Sequence, residues 1–153
     1  MKIIVKDEIA TKILAEKIAP FLQRNLCLLL EGPLAVGKTT FTKYLLQVLG
    51  VTESVTSPTF LIMQQYTTKD DIGVNHMDCY RLAGLEQQEE WKIYFDYFPD
   101  RINIIEWPAL ISNQISSKYE IIKITIKVGH DQERLFTIKT NNPDLSAALG
   151  KEG

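Results

Sequence analysis

The feature that most constrains the fold is the stretch Gly32-Pro33-Leu34-Ala35-Val36-Gly37-Lys38-Thr39, which matches G-x-x-x-x-G-K-[ST] at every fixed position. A continuous apolar run, 26–30, precedes it, and a segment with apolar residues at helical spacing, 38–49, follows it. A short apolar run that ends at glycine is typical of a strand buried in a parallel sheet. The stretch therefore lies where a phosphate-binding loop is needed, between a strand and the first turn of a helix.

Each fixed position of this loop has a chemical reason. Gly32 turns the chain out of the strand, and Gly37 lets backbone N–H groups approach phosphate oxygens without a Cβ in the way. Lys38 reaches the β- and γ-phosphates as a point charge, and the hydroxyl of Thr39 is a ligand for Mg²⁺. The helix that begins there adds free N–H groups and the positive end of its dipole. The loop predicts binding of a nucleoside triphosphate with Mg²⁺.

The composition predicts one soluble domain over residues 1–153. The chain is 45% hydrophobic and 24% charged, and its net charge is -2 without a dense run of Lys and Arg, which excludes a strongly basic nucleic-acid or membrane-surface binder. Charged residues come early at the N-terminus, so we expect no signal peptide, and no apolar run approaches the about 20 residues of a membrane span. Cys27 and Cys79 lie in apolar stretches, which favours buried thiols and a reducing, cytoplasmic location.

The spacing of apolar residues predicts alternating helices and strands. Besides the two elements around the loop, we expect helices over 7–23 and 85–95 and a short last helix that Pro143 opens and Gly150 closes, with strands over 60–66, 74–80, 102–105, 120–128 and 134–140. Asp7 is a candidate N-cap, and Asn25 is a candidate end of the first helix. The order predicts an α/β, three-layer P-loop NTPase-like fold, with a mostly parallel central sheet and an antiparallel C-terminal hairpin.

Two carboxylates are candidates for the metal and the chemistry. Glu106 directly follows a buried strand, where ligands gather at the carboxyl edge of a parallel sheet. Asp78 lies on a more polar strand. Either residue is a partner for Mg²⁺ and triphosphate or an ordinary surface or ion-paired acid.

Of four other residues, two have two interpretations each. Thr59, in Ser57-Pro58-Thr59-Phe60, is either a switch-like hydroxyl near the γ-phosphate or part of a turn in which proline sets φ. His76 is either a polar contact near Asp78 or a strand histidine with its hydrogen bonds satisfied, and the second is favoured. Trp107 is interpreted as core and His130 as turn surface. ATP is favoured over GTP, because no Asn is followed by Lys as a guanine-reading Asn-Lys-x-Asp motif requires.

Taken together, four motifs in order and spacing resemble the bacterial TsaE family (formerly YjeE), from about residue 8 to residue 140. That family comprises small P-loop ATPases required to make the threonylcarbamoyladenosine base of tRNA. The motifs are the loop at 32–40, Ser57-Pro58-Thr59-Phe60, His76-x-Asp78-x-Tyr80-Arg81-Leu82 and Ile105-Glu106-Trp107-Pro108.

The resemblance implies ATP and Mg²⁺ as cofactors and assigns roles to residues. Thr39 and Glu106 would hold Mg²⁺ and Lys38 the phosphates. Asp78 would be essential to hydrolysis, and Thr59 would act in a switch-like loop. The other implied nucleotide contacts are Thr11, Gly32, Leu34, Ala35, Val36, Gly37, Thr40 and Arg134.

The resemblance also implies protein partners, TsaD and TsaB, which carry out threonylcarbamoyl transfer and which the ATPase resets or supports. The tRNA would be reached indirectly through that complex. The chain departs from the family pattern at Pro33, Ala35 and Val36, where the usual residues are an acid, glycine and alanine, and at 91–95, where Gly-Leu-x-Glu-Tyr-Phe is usual. Three or four loop amides are still available for phosphate.

Two other functions use the same loop. A small-molecule kinase would bring a substrate lid with several arginines, whereas the four arginines of this chain are scattered, at Arg24, Arg81, Arg101 and Arg134. A nucleotide-gated binding module would bind ATP without hydrolysing it.

Overall fold

The computed structural model of the chain describes residues 1–33, 35–53, 62–82 and 90–150. The strands are β1 (Lys2–Val5), β2 (Leu26–Glu31), β3 (Met63–Thr67), β4 (Gly73–Asp78), β5 (Ile102–Glu106), β6 (Glu120–Val128) and β7 (Arg134–Thr140). The α-helices are α1 (Glu8–Ile18), α2 (Lys38–Val48) and α3 (Pro143–Gly150). Within these residues the strands form one seven-stranded sheet in the order β1-β7-β6-β2-β5-β4-β3.

The centre of the sheet is parallel, and both of its sides are antiparallel. Strand β2 pairs in parallel with β5 and β6, and β5 pairs in parallel with β4. The hairpin of β6 and β7 adds β1 at one edge, and β3 runs antiparallel to β4 at the other. This arrangement confirms the predicted fold class and brings the carboxyl ends of β2, β4 and β5 to one edge.

Side chains of β2 alternate between two apolar layers. Leu28 and Leu30 pack with α1 and α2 on one face, whereas Cys27 and Leu29 pack with short 3₁₀ turns on the other. Because both faces are covered, β2 reads in the sequence as an unbroken apolar run. Cys27 and Cys79 are buried free thiols, as predicted, and burial raises the pKa of both to about 12.

The first helix is shorter than predicted. Asp7 caps it, accepting the backbone N–H of Ala10 at 2.8 Å, but α1 ends at Ile18 and a 3₁₀ turn follows over Ala19–Phe21. Pro20 explains the change, because it lacks an N–H and clashes with the carbonyl four residues back. Asn25 therefore caps no helix; its backbone N–H instead donates to the carbonyl of Arg101 at the start of β5.

Three other predicted elements differ at their ends. The strand expected over 74–80 stops at Asp78, where a 3₁₀ turn, Cys79–Leu82, begins. The helix expected over 85–95 is a 3₁₀ segment over Glu90–Tyr97, and 85–89 lie outside the described residues, as do 60–61 at the start of the expected strand 60–66. Strand β1 was not predicted, since its four residues are too few to show a period. The hairpin and the last helix are confirmed.

Candidate functional site

The loop between β2 and α2 has the backbone that its sequence requires. Gly37 has a φ of 110° and lies directly before the first residue of α2, a conformation that side chains disfavour. A Cβ on Gly32 would lie 2.7 Å from the carbonyl oxygen of Ile126, so the loop passes too close to β6 for any larger residue. The free N–H groups at the start of α2 are thereby directed out of the sheet edge.

Ala35 occupies the position at which the resembling family usually has glycine, and it is left-handed, with a φ of 59°. Such a backbone costs an L-residue about 1–2 kcal/mol. Replacement of Ala35 by glycine removes that strain. Glycine also raises the conformational entropy of the unfolded chain, which lowers the free energy of unfolding by about 0.4–1 kcal/mol. We expect Ala35→Gly to raise the free energy of unfolding by about 0.5–1 kcal/mol, as measured by urea denaturation.

A matched control is Ala147→Gly on the exposed side of α3, which is expected to lower stability by about 1 kcal/mol. If both glycine variants were destabilised alike, Ala35 would carry no left-handed strain.

Lys38 is held inside the loop. Its side chain is only 5% exposed, and Nζ donates to the carbonyl oxygens of Gly32 at 2.6 Å and Pro33 at 2.9 Å. Nζ also lies 4.3 Å from the centre of the Trp107 ring, a cation–π contact. Burial lowers the pKa of this ammonium, and the carboxylates of Glu106 and Asp78 act in the opposite direction. Phosphate oxygens would be stronger acceptors for Nζ than these neutral carbonyls.

Asp78 and Glu106 lie side by side at the ends of adjacent strands, because the parallel register of β4 and β5 pairs the two residues. Glu106 is 3% exposed. Asp78 is half-buried and accepts the backbone N–H of Tyr80 at 3.0 Å. Burial raises the pKa of Asp78, the Tyr80 hydrogen bond lowers it, and the neighbouring charge of Glu106 raises it again.

A cavity of about 290 Å³ joins the loop to these carboxylates. It is lined by residues from the loop, α2 and the ends of β4 and β5, so residues as distant in sequence as Ala35 and Trp107 meet in one place. The lining residues are Ala35, Gly37, Lys38, Thr39, Thr40, Asp78, Glu106 and Trp107.

A second cavity of about 490 Å³ shares Ala35, Gly37 and Thr40 with the first and continues towards α1 and β7. Thr11 and Arg134 line it. The hydroxyl of Thr11 donates to the backbone carbonyl of Asp7 at 3.1 Å. Two adjoining cavities along the loop suit an elongated ligand with a polyanionic end and a less charged end.

Arg134 is also tied to the loop itself. Its Nε donates to the backbone carbonyl of Val36 at 3.1 Å, so a residue of β7 supports the loop from outside. Gly32 is set back from the cavities and holds Lys38 through its carbonyl. Leu34 and Thr59, two further expected site residues, lie outside the described residues.

Two site neighbours were interpreted from the sequence as ordinary core or strand residues. Trp107 packs against the apolar layer of Cys27 and Leu29, as a core residue would, but it is only partly buried, with a left-handed φ of 55° directly before Pro108. Its ring also lies beneath Lys38. His76 is a buried residue whose Nε2 lies 2.5 Å from Oε2 of Glu106. The spacing His76-x-Asp78 contained a signal, since residues two apart on a strand face the same side.

Comparison with known proteins now decides the family. The family model described as threonylcarbamoyl adenosine biosynthesis protein TsaE matches residues 5–136. The chain belongs to the TsaE family. Among curated members, the TsaE protein of Bacillus subtilis is 38% identical over 128 residues, covering 83% of this chain and 77% of that protein. The TsaE protein of Rickettsia felis is 32% identical over 149 residues, covering 94% and 82%.

A solved TsaE-like structure supports the fold. The crystal structure of Bacillus subtilis YdiB superposes with a TM-score of 0.74 at 30% identity, covering 97% of this chain and 90% of that one. Within the described residues no helix is both long and apolar enough to cross a membrane.

Proposed function

We propose that this TsaE-family chain is an ATP-binding and ATP-hydrolysing accessory protein of tRNA N6-threonylcarbamoyladenosine biosynthesis, acting in the cytoplasm with a TsaD–TsaB complex. The family match and the names of its relatives support the pathway. The observation that carries the ATPase part is the convergence of Lys38, Asp78 and Glu106 on one cavity beside the phosphate loop.

Each group that lines the two cavities has a separate role in phosphoryl transfer. The free N–H groups of the loop and of α2 bind the phosphates, and Lys38 exchanges its carbonyl acceptors in the loop for oxygens of the β- and γ-phosphates. Asp78, half-buried beside Glu106, orients the water that attacks the γ-phosphate and accepts its proton. The second cavity, with Thr11 and Arg134, receives the nucleoside.

Thr39 and Glu106 fit a magnesium site. Mg²⁺ prefers oxygen ligands, keeps several waters and needs only one or two protein ligands beside substrate phosphates. A hydroxyl and a carboxylate on the wall of one cavity match that demand. The described residues contain no cluster of three or more His, Cys, Asp or Glu that would form a metal cage instead. When bound, Mg²⁺ neutralises charge on the phosphate oxygens.

This assignment predicts the effect of Glu106→Gln. Loss of the anionic ligand is expected to raise the Mg²⁺ concentration for half-maximal ATP hydrolysis by at least about tenfold. ADP binding measured without Mg²⁺ should not change. The control is Glu31→Gln, at the end of β2, where the carboxylate pairs with Lys123 at 3.5 Å. An unchanged Mg²⁺ dependence in Glu106→Gln would refute the ligand assignment.

The direct test of the proposed function is an ATPase assay of the purified chain, alone and with its TsaD and TsaB homologues, together with co-purification from the native cell. We expect slow hydrolysis alone, stimulation by the complex, and recovery of both partners. ATP-dependent phosphorylation of a small metabolite would instead identify a kinase. ATP binding with no hydrolysis, even with the partners present, would identify a nucleotide-gated binding module.

A further inference from the structure

His76 is a buried histidine that connects the sheet interior to the proposed metal site. It lies on β4, two residues before Asp78, and its exposed fraction is 0%. Its Nε2 atom is 2.5 Å from Oε2 of Glu106 on the neighbouring strand β5. Among the described residues, the hydrogen bond that joins His76 to the site is the one with Glu106.

The hydrogen bonds of His76 indicate which of its two ring nitrogens carries a proton. Nδ1 is buried and has no hydrogen-bond partner among the described residues. A proton on Nδ1 would be a buried N–H without an acceptor in the described part of the chain. The arrangement with the smallest penalty places a proton on Nε2, which donates to the carboxylate of Glu106.

This hydrogen bond makes the two oxygens of Glu106 unequal. Oε2 accepts from His76, while the side chain also lines the loop cavity. Oε1 would then be the oxygen available to a cation, and the carboxylate would be presented with one oxygen rather than two. Asp78, paired with Glu106 in the strand register, would otherwise push the like-charged carboxylate away.

We propose that His76 is a positioning residue that holds Glu106 by Oε2 and so presents Oε1 alone to the Mg²⁺ of the bound nucleotide. The inference rests on the proposed function. Carboxylates that bind metals are commonly held by a hydrogen bond from outside the coordination sphere, and loss of such a partner costs 10–100-fold in metal affinity.

A role in stability alone predicts something different. Removing one partner of a buried polar pair destabilises the fold, so a purely structural role predicts lower stability of the His76 variants with an unchanged Mg²⁺ dependence. Glutamine carries an N–H donor three bonds beyond Cβ, as His76 does through Nε2, whereas asparagine is one bond shorter. The Gln and Asn variants therefore separate the hydrogen bond from polarity.

The test is calorimetric binding of ADP, with and without Mg²⁺, to the wild type and to His76→Leu, His76→Asn and His76→Gln. We expect Mg²⁺-free ADP affinity within about twofold of wild type in all of them. The Mg²⁺ concentration needed for tight binding should rise about tenfold or more in His76→Leu and His76→Asn, and His76→Gln should restore it. His130→Gln, in the exposed hairpin turn, is the matched control.

Each result decides the proposal. Wild-type Mg²⁺ dependence in His76→Asn would overturn it, as would an equal loss in His76→Gln and His76→Asn, which would indicate ring shape rather than the hydrogen bond. The Asn and Gln pair keeps the test valid if His76→Leu does not fold. A wild type that binds no ADP in either condition would overturn the proposed function itself, and this inference with it.

Discussion

Lys38→Ala is expected to reduce ATP hydrolysis by at least about 100-fold, because one preorganised charged donor at a transition state is worth about that much. Nucleotide affinity should fall by roughly 10–100-fold, since a hydrogen bond to a charged group contributes about 1.5–3 kcal/mol. The structural reason is that Nζ is already inside the loop, on the carbonyls of Gly32 and Pro33, where β- and γ-phosphates would lie. Hydrolysis is measured by phosphate release, and affinity by ADP calorimetry.

The control for this variant is Lys43→Ala, since Lys43 is exposed on the same helix and carries the same charge. It should retain wild-type hydrolysis. Circular dichroism should be the same for both variants and the wild type. Full hydrolysis by Lys38→Ala would mean that the lysine does not serve the phosphates.

Asp78→Asn is expected to reduce the rate of ATP hydrolysis while leaving ATP affinity nearly unchanged. We expect hydrolysis to fall at least about 100-fold, because the amide cannot take the proton of the attacking water. ATP affinity should stay within about threefold, because Lys38 and the loop amides supply the phosphate contacts. The asparagine oxygen can still accept the N–H of Tyr80. Retained hydrolysis would exclude Asp78 from the reaction.

Asp78→Asn is also expected to change how the free energy of unfolding depends on pH. Burial raises the pKa of Asp78 above its ordinary value of 3.8, so the folded state holds its proton more tightly than the unfolded state does. The free energy of unfolding therefore falls as pH rises from 3.8 to the raised pKa of folded Asp78. Above that pKa the carboxylate is charged in both states, and the destabilisation is at its full size. Without ligands, Asp78→Asn should be more stable than wild type at pH 7, and the difference should disappear below pH 3.8. Urea denaturation across pH measures it.

The parts of the site that could be predicted are those that local sequence encodes. The loop 32–39 carries its own turn chemistry, and the apolar run before it and the helical spacing after it predict β2 and α2. Glu106 was recognisable because it follows a buried strand. That Asp78 lies beside it depends on the register of β4 and β5, which neither strand determines alone.

The parts that were missed depend on contacts distant in sequence. His76 and Glu106 are 30 positions apart. The sequence around a histidine on a strand does not determine whether an apolar or a polar side chain of the neighbouring strand will contact it. The left-handed Trp107 follows from the turn that ends β5, whereas a tryptophan in sequence predicts core. The four-residue β1 forms because it pairs with β7, the edge strand of the hairpin, and that pairing is not visible in its own sequence.

The most direct measurement is a crystal structure of the chain with Mg²⁺ and a non-hydrolysable ATP analogue. The phosphates should lie against the loop, with Lys38 Nζ moved from the carbonyls of Gly32 and Pro33 to phosphate oxygens. The metal ion should lie between Thr39 and Glu106. An analogue bound elsewhere, or a loop cavity filled by the chain's own side chains in the presence of saturating analogue, would contradict the assignment of this pocket to ATP.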